Sequence, residues 1–134
     1  MAKIELLPAE WSQAAERLLA GAVGSNPSYT LDELRNEVRS GNSMLFAGLI
    51  DGLLVGFVVV WFEDFGGGRE MVIQAGAALG SNQSALKAFM PKFEMLMKQG
   101  RATSMRAHVE DRRLLRAMKS VGFKEAETVV RFGG

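Results

Sequence analysis

The dipeptide Asp51-Gly52, set between two apolar runs, constrains the fold more than any other feature of the sequence. A tight type I′ turn needs a positive φ at both central residues, and Asp-Gly accepts that conformation readily. We therefore expect a β-hairpin whose strands occupy 43–50 and 53–62. The second strand is apolar on both faces, which predicts a central place in a sheet covered on both sides. Gly56 within it indicates a bulge or a close backbone approach.

Periodic apolar residues place further helices and strands around this hairpin. Spacings of three and four residues predict helices at 10–21, 84–99 and 112–121. Thr30 and Glu33 form a capping box, which begins a short helix that stops at Gly41. Alternating runs predict the remaining strands at 3–7, 70–75, 102–109 and 124–132. The order β-α-α-β-β-β-α-β-α-β contains no linker or repeat and predicts one mixed α/β domain over residues 1–134.

Glycine and proline set the expected boundaries. Pro8 is expected to end the first strand, and residues 63–69 read as a flexible, glycine-rich turn. Pro91 interrupts the third helical pattern, so either that helix bends there or its regular part begins there. Gly100 and Gly122 are expected to end the last two helices as C-caps.

The residue content excludes several chemistries. The 134 residues include no cysteine and a single histidine, His108. Disulfides, thiolate metal sites and a cysteine nucleophile are therefore excluded, and a histidine metal site or a Ser-His-Asp triad is disfavoured. No apolar run reaches the roughly 18 residues that span a bilayer, and the N-terminus lacks the pattern of a signal peptide. We expect a cytoplasmic protein that holds no metal and does not enter a membrane.

Charge is unevenly distributed along the chain. Residues 1–86 hold 5 basic and 10 acidic side chains, and residues 87–134 hold 11 basic and 5 acidic ones. A basic C-terminal half could receive the phosphates of a nucleotide-like ligand or a nucleic acid. Alternatively, the basic residues coat two solvated helices. Nucleic acid is disfavoured because the aromatic residues of that half (Phe89, Phe93, Phe123 and Phe132) have core-like spacing and do not alternate with the charges.

A strand, a turn of small residues and a helix follow one another from Glu70 to Gly100. This arrangement directs backbone N–H groups and a helix N-terminus at one point, where they suit an anion such as a pyrophosphate.

The element order and the segment 105–123 together resemble the GCN5-related N-acetyltransferase (GNAT) superfamily. That segment is similar to the family's pattern of a strand followed by Asn-x-x-Ala-x-x-Leu-Tyr-x-x-x-Gly-Phe, with Gly122-Phe123 in the terminal position. The resemblance implies a GNAT-like acyl-CoA N-acyltransferase fold with acetyl-CoA as co-substrate. It also implies that strand 102–109 separates from strand 70–75, leaving backbone groups near Ile73 and Ala75 to hold the pantetheine arm as a further strand would. The cofactor-binding residues expected on this basis are Ile73, Ala75, Gly76, Gly80, Ser81 and Asn82.

The sequence departs from the family pattern at several positions. The family's phosphate loop, Arg/Gln-x-x-Gly-x-Gly/Ala, falls on Ala78, Ser81 and Gln83, none of which matches. The family's asparagine falls on Asp111. Its tyrosine, which protonates the departing thiolate, falls on Met118, and methionine cannot donate a proton. The chain therefore resembles a divergent or degenerate member of the family, and its eroded motifs are similar to those of small phage and prophage proteins.

Acyl transfer to an amine needs a backbone donor for the carbonyl and a base for the amine, and an acid assists the thiolate. Strand 70–75 is the expected source of the donor. The candidate bases are Glu63, Asp64, Glu70, Glu110 and His108; each of them also fits a solvated or structural role. Among them His108 is the catalytic candidate because its ordinary pKa lies near 6.5.

Two classes of function stay open. The first is an acyl-CoA-dependent N-acyltransferase with an atypical phosphate loop, acting on a small-molecule amine or a protein amine. The second is a degenerate GNAT-fold protein with a structural or interaction role. Exposed strand edges in this fold also allow a homodimer.

Overall fold

The computed structural model describes residues 2–23, 30–77, 83–107, 112–125 and 132. Strands and helices follow one another in the order β1-α1-α2-β2-β3-β4-α3-β5-α4. The strands are β1 (Ile4–Pro8), β2 (Met44–Ile50), β3 (Leu53–Phe65), β4 (Gly68–Ala77) and β5 (Ser104–Ala107), and the helices are α1 (Gln13–Val23), α2 (Leu31–Arg39), α3 (Gln83–Gln99) and α4 (Arg112–Ser120). This order matches the expected one through α4. Lys124 and Glu125 lie outside any strand, and the rest of the expected last strand falls on residues that are not described, apart from Phe132.

The five strands form one sheet in sequence order, β1-β2-β3-β4-β5. The first three pairings are antiparallel, and β4 pairs with β5 in parallel. A parallel pairing needs a crossover connection, and α3 supplies it. The mixed sheet thus places the only parallel pair of the described strands beside the strand–turn–helix unit.

Helices cover both faces of the sheet. On one face α1 and α2 bury Ala15, Leu19 and Leu34 against Leu45, Phe57 and Val59. On the other face α3 and α4 bury Leu86, Phe89, Phe93 and Met118 against Phe46, Val58, Val60 and Met71. Neighbouring residues of β3 therefore enter opposite cores, as the alternation of a strand requires. This confirms that β3 is a central strand covered on both sides.

The β2–β3 hairpin has the expected turn. Asp51 and Gly52 have φ values of 52° and 79°, which is the type I′ geometry. The register passes from Gly48↔Gly56 to Leu49↔Leu54, so Val55 is an extra residue beside Gly56. The bulge expected at this glycine is confirmed.

The β3–β4 connection is shorter than predicted. Residues 63–69 were expected to form a flexible turn, but β3 continues to Phe65 and only Gly66 and Gly67 connect it to β4. Gly66-Gly67 forms a two-residue hairpin turn that lets the ladder continue to Phe65, and Arg69 lies 3.6 Å from the Asp64 carboxylate directly across it. Opposite charges on paired residues stabilise a ladder that composition alone identifies as a loop.

The first strand also extends one residue further than expected, because Pro8 pairs with Phe46. The N–H of Ala9 donates to Leu45 and the carbonyl of Lys3 accepts from Asp51, so the odd-numbered residues of β1 bond to β2. The backbone nitrogen of Pro8 therefore faces the outer edge of the sheet. No ladder bond is required there, so the lack of an N–H costs nothing.

The C-terminal end of α3 differs from the expected cap. Arg101, not Gly100, has the left-handed conformation, with φ 61°. Arg101 N–H donates to Lys98 and Ala102 N–H donates to Met97, which together form a Schellman motif. Gly100 is required for another reason: a Cβ there would lie 2.2 Å from the Phe62 ring. The helix also includes eight residues before Pro91, so the alternative that its regular part begins at this proline is wrong.

Candidate functional site

A bulge in β4 is the central feature of the candidate site. The pairing with β3 passes from Val60↔Ile73 to Val59↔Ala75, so Gln74 is the extra residue that the register skips. Val60 and Val59 face opposite cores. Their partners Ile73 and Ala75 therefore lie on opposite faces of the sheet, although residues two apart in a regular strand share a face. A bulge of this kind redirects backbone and side-chain groups and is over-represented next to active sites.

The expected cofactor-binding residues divide into two groups. Ile73 directly precedes the bulge residue Gln74 in β4, and Ala75 and Gly76 directly follow it. Gly80, Ser81 and Asn82 fall outside the described residues, as does the candidate base His108. Contact of any of the six with a cofactor stays a prediction.

The parallel pairing between β4 and β5 is described over four pairs, from Glu70↔Ser104 to Ile73↔Ala107. The two strands are thus still paired at Ile73, while β4 continues to Ala77. The separation was expected near Ile73 and Ala75. Because Ile73 is still paired with Ala107, any separation of the strands begins beyond Ile73.

Helix α3 begins at Gln83, shortly after β4 ends, and returns along the sheet. Leu86, Phe89 and Phe93 are buried on the sheet and fix its position. Its first turn contains no acidic residue, so no side chain of that turn offsets the positive end of the helix dipole. The helix N-terminus therefore favours an anion at the end of the sheet where β4 finishes.

Four polar residues from three strands form a cluster on the face of the sheet covered by α1 and α2. Arg106 Nη2 donates to Glu63 Oε2 over 2.8 Å, and Arg106 Nε lies 3.4 Å from Glu70 Oε1. Ser104 Oγ donates to Glu70 Oε2 over 3.1 Å. Glu63 and Glu70 are direct register partners, so their negative charges repel each other. Arg106 contacts both carboxylates and offsets this repulsion.

The cluster distinguishes among the candidate bases. Asp64 is exposed and paired with Arg69, whereas the Glu70 side chain is 21% exposed. Glu70 also precedes the bulge by four residues on the same strand. Among the candidates that the structure describes, Glu70 is the most sheltered and the one fixed by two neighbouring groups. His108 and Glu110 lie outside the described residues.

The position of the family's proton donor holds Met118, which is buried in the core under α4. A thioether there packs against the core and has no proton to donate. Tyr29, the only tyrosine, lies outside the described residues.

Two residues of the site were missed in the sequence analysis. Ser43 is buried, and its Oγ donates to Gln74 Oε1 over 3.1 Å. Arg106 joins Glu63 and Glu70. The alternation of strand 102–109 predicts that Arg106 lies on the other face of the sheet from its apolar neighbours. Its hydrogen bond to Glu63 spans 43 residues, and no local pattern predicts it.

Ionic contacts also join the two helices on this face. Arg35 of α2 donates to Glu16 of α1 and to Asp32. The hydrogen bond from Arg35 lowers the pKa of Glu16, and a second one from Trp11 Nε1 lowers it further; the same bond to Glu16 raises the pKa of Arg35. This pair fixes α1 relative to α2 on the side of the sheet that carries the polar cluster.

Solved structures match the chain over nearly its whole length. The aminoglycoside acetyltransferase meta-AAC0020 from an uncultured soil metagenomic sample, solved with sisomicin, is 18% identical with a TM-score of 0.68, covering 99% of this chain and 95% of that one. AAC(6')-Ih from Acinetobacter baumannii is 18% identical with a TM-score of 0.64, covering 98% of each chain. AAC(6')-Iy, solved with CoA, is 13% identical with a TM-score of 0.63, covering 100% and 96%. No family model and no curated protein matches the sequence.

These neighbours are GNAT acetyltransferases, and the chain has their fold. The predicted α/β class and GNAT-like architecture are therefore confirmed. Within the described residues, no helix has the length and apolar character needed to cross a membrane.

Proposed function

We propose that this protein is an acyl-CoA-dependent N-acyltransferase that moves an acetyl group from acetyl-CoA to an amine. The bulge at Gln74 carries the proposal: it lies in β4, between the polar cluster and the α3 N-terminus, in a chain with the GNAT fold. Backbone groups at a bulge are displaced from the regular ladder and can meet a ligand. The helix N-terminus beyond β4 suits the pyrophosphate of CoA.

In the proposed reaction, the bulge backbone, Glu70 and solvent each take part in acyl transfer. The amine nitrogen attacks the thioester carbonyl carbon, and a backbone N–H of the bulge stabilises the oxyanion that forms. Glu70 accepts a proton from the ammonium form of the acceptor through a water molecule, which gives the nitrogen the lone pair for this attack, and the nitrogen releases its second proton to solvent as the amide forms. The C–S bond then breaks, the amide forms, and the thiolate leaves. The thiolate takes its proton from solvent, because Met118 has none to give.

The acceptor is proposed to be a small-molecule amine. Two of the structural neighbours are aminoglycoside acetyltransferases, one solved with sisomicin, and a third is solved with CoA. Carboxylates near the bulge, Glu63 and Glu70, suit a cationic amine better than an anionic substrate. A protein amine is the alternative acceptor, and a cytoplasmic location and a homodimer remain parts of the proposal.

Met118 and the unmatched phosphate loop favour a second candidate. A GNAT-fold protein that has lost its proton donor and its loop motif fits a structural or interaction role, as in phage-like members. Backbone donors do not depend on side-chain identity, so the loop departures weaken the first proposal less than Met118 does.

Binding of acetyl-CoA separates the two candidates. A ligand at 100 times its Kd raises the unfolding free energy by about 2.7 kcal/mol, so millimolar acetyl-CoA should raise Tm by several degrees. ATP at equal ionic strength controls for unspecific binding of polyphosphates. An unchanged Tm together with no heat in a calorimetric titration would exclude the enzyme. If acetyl-CoA binds, an amine panel with detection of free thiol identifies the acceptor.

A further inference from the structure

A buried serine connects helix α2 with the bulge in β4. Ser43 is 4% exposed and lies just before β2. Its N–H donates to the Glu37 carbonyl in α2 over 3.0 Å, and its Oγ donates to Gln74 Oε1 over 3.1 Å. These partners are 6 and 31 residues away in sequence, so Ser43 joins the helix layer to the bulge.

The bulge needs support of this kind. The extra residue of a bulge lies where the ladder is locally disrupted, so the ladder alone fixes its backbone less firmly than that of its neighbours. A side-chain hydrogen bond to a buried hydroxyl restricts the Gln74 rotamer and, through it, the backbone at 73–75. The bulge is thereby fixed relative to α2, which Arg35 in turn joins to α1.

We infer that Ser43 is a positioning residue for the acyl group: through Gln74 it sets the direction of the bulge backbone N–H that meets the thioester carbonyl. This inference rests on the proposed function. Ser43 does not itself touch the substrate. Loss of its hydroxyl should weaken contact with the acetyl group and leave contacts with the rest of CoA unchanged.

The test compares acetyl-CoA and CoA as calorimetric probes of the same protein. The measured quantity is the ratio of the Kd for CoA to the Kd for acetyl-CoA. Wild type, Ser43→Ala, Gln74→Met and the double variant form a cycle, since methionine keeps the length of Gln74 without its hydrogen bond to Ser43. Ser40→Ala is the matched control, because Ser40 Oγ donates to the same Glu37 carbonyl and is exposed.

The expected result is a wild-type ratio above one that falls by about two- to tenfold in each single variant, the range of one net hydrogen bond. The double variant should fall no further than either single one, and Ser40→Ala should retain the wild-type ratio. If Ser43→Ala does not fold, Gln74→Met alone gives the answer.

Three results would overturn the inference while leaving the proposed function intact: a wild-type ratio of one, an unchanged ratio in Ser43→Ala or Gln74→Met, or an equal loss of affinity for both probes. The last would mean that the hydrogen bond supports the fold in general and not the acyl group. If wild type binds neither probe, the proposed function fails and the inference fails with it.

Discussion

Replacing Gly100 with alanine inserts a methyl group into the ring of Phe62. A Cβ at this position would lie 2.2, 2.3 and 2.9 Å from the ring atoms Cζ, Cε1 and Cε2. Side-chain carbons do not approach within 3.0 Å in real structures. Either the ring or the end of α3 must therefore move by about an ångström or more.

Both sides of this contact are held in place. Gly100 N–H donates to the Leu96 carbonyl over 3.0 Å, and the two residues that follow complete the Schellman motif. Phe62 is paired with Met71 in the middle of the sheet and packs on the α3/α4 core. Inserting a methyl group into a packed core costs about 1–3 kcal/mol. We expect a loss near the upper end, and a Tm lower by roughly 6–15 °C for a domain of this size.

Thermal unfolding followed by circular dichroism, with urea unfolding as a second measurement, tests this expectation. Gly21→Ala is the matched control, because no atom of the described residues beyond its own helical backbone and chain neighbours lies within 4 Å of a Cβ there. Within α1 this exchange should raise stability by about 0.5–1 kcal/mol. Phe62→Leu should partly restore the stability of Gly100→Ala. A Gly100→Ala variant with the wild-type Tm would show that the ring moves aside freely and would refute the reasoning.

Three further predictions concern a cap, an ion pair and the base. Arg101→Gly should stabilise the protein by about 0.5–1 kcal/mol in urea unfolding, because the left-handed conformation of Arg101 costs about 1–2 kcal/mol in a non-glycine residue; a destabilised variant would contradict this. Glu16 has a folded pKa below its ordinary value of 4.5, so its contribution is present above pH 4.5 and is lost as the pH falls through the folded pKa. The stability difference between wild type and Glu16→Gln should accordingly shrink toward zero in that acidic range, and a constant difference would be the opposing result. Glu70→Gln should lower kcat with the identified amine by about 10²–10⁴-fold, while Asp64→Asn should not; equal rates would remove Glu70 as the base.

The turn chemistry and the apolar periodicity were sufficient to predict most of the elements. Asp51-Gly52 forms the expected tight turn, and Thr30 caps α2 as predicted, with Glu33 N–H donating to Thr30 Oγ1. The Glu33 carboxylate accepts a hydrogen bond from the Thr30 hydroxyl. These are local effects, because the interacting groups lie within a few residues of one another. The predictions failed where distant partners decided the outcome. The Phe62 ring, 38 residues away in sequence, leaves no room for a Cβ at Gly100, and the left-handed conformation falls on Arg101 instead. The strand that continues through residues 63–65 is a shorter-range case, because its partners Asp64 and Arg69 are only five residues apart.

The candidate site shows the same division. The sequence by itself determined the mixed α/β order through α4, the succession of β4 and α3, and a methionine at position 118, since each depends on residue identity or local spacing. The tertiary structure decided which groups meet there. The bulge at Gln74 arises from a register between two strands, and Ser43 and Arg106 reach Gln74 and Glu63 across 31 and 43 residues. A strand register and a hydrogen bond across such a distance are set by how whole elements pack, which no local pattern of residues records.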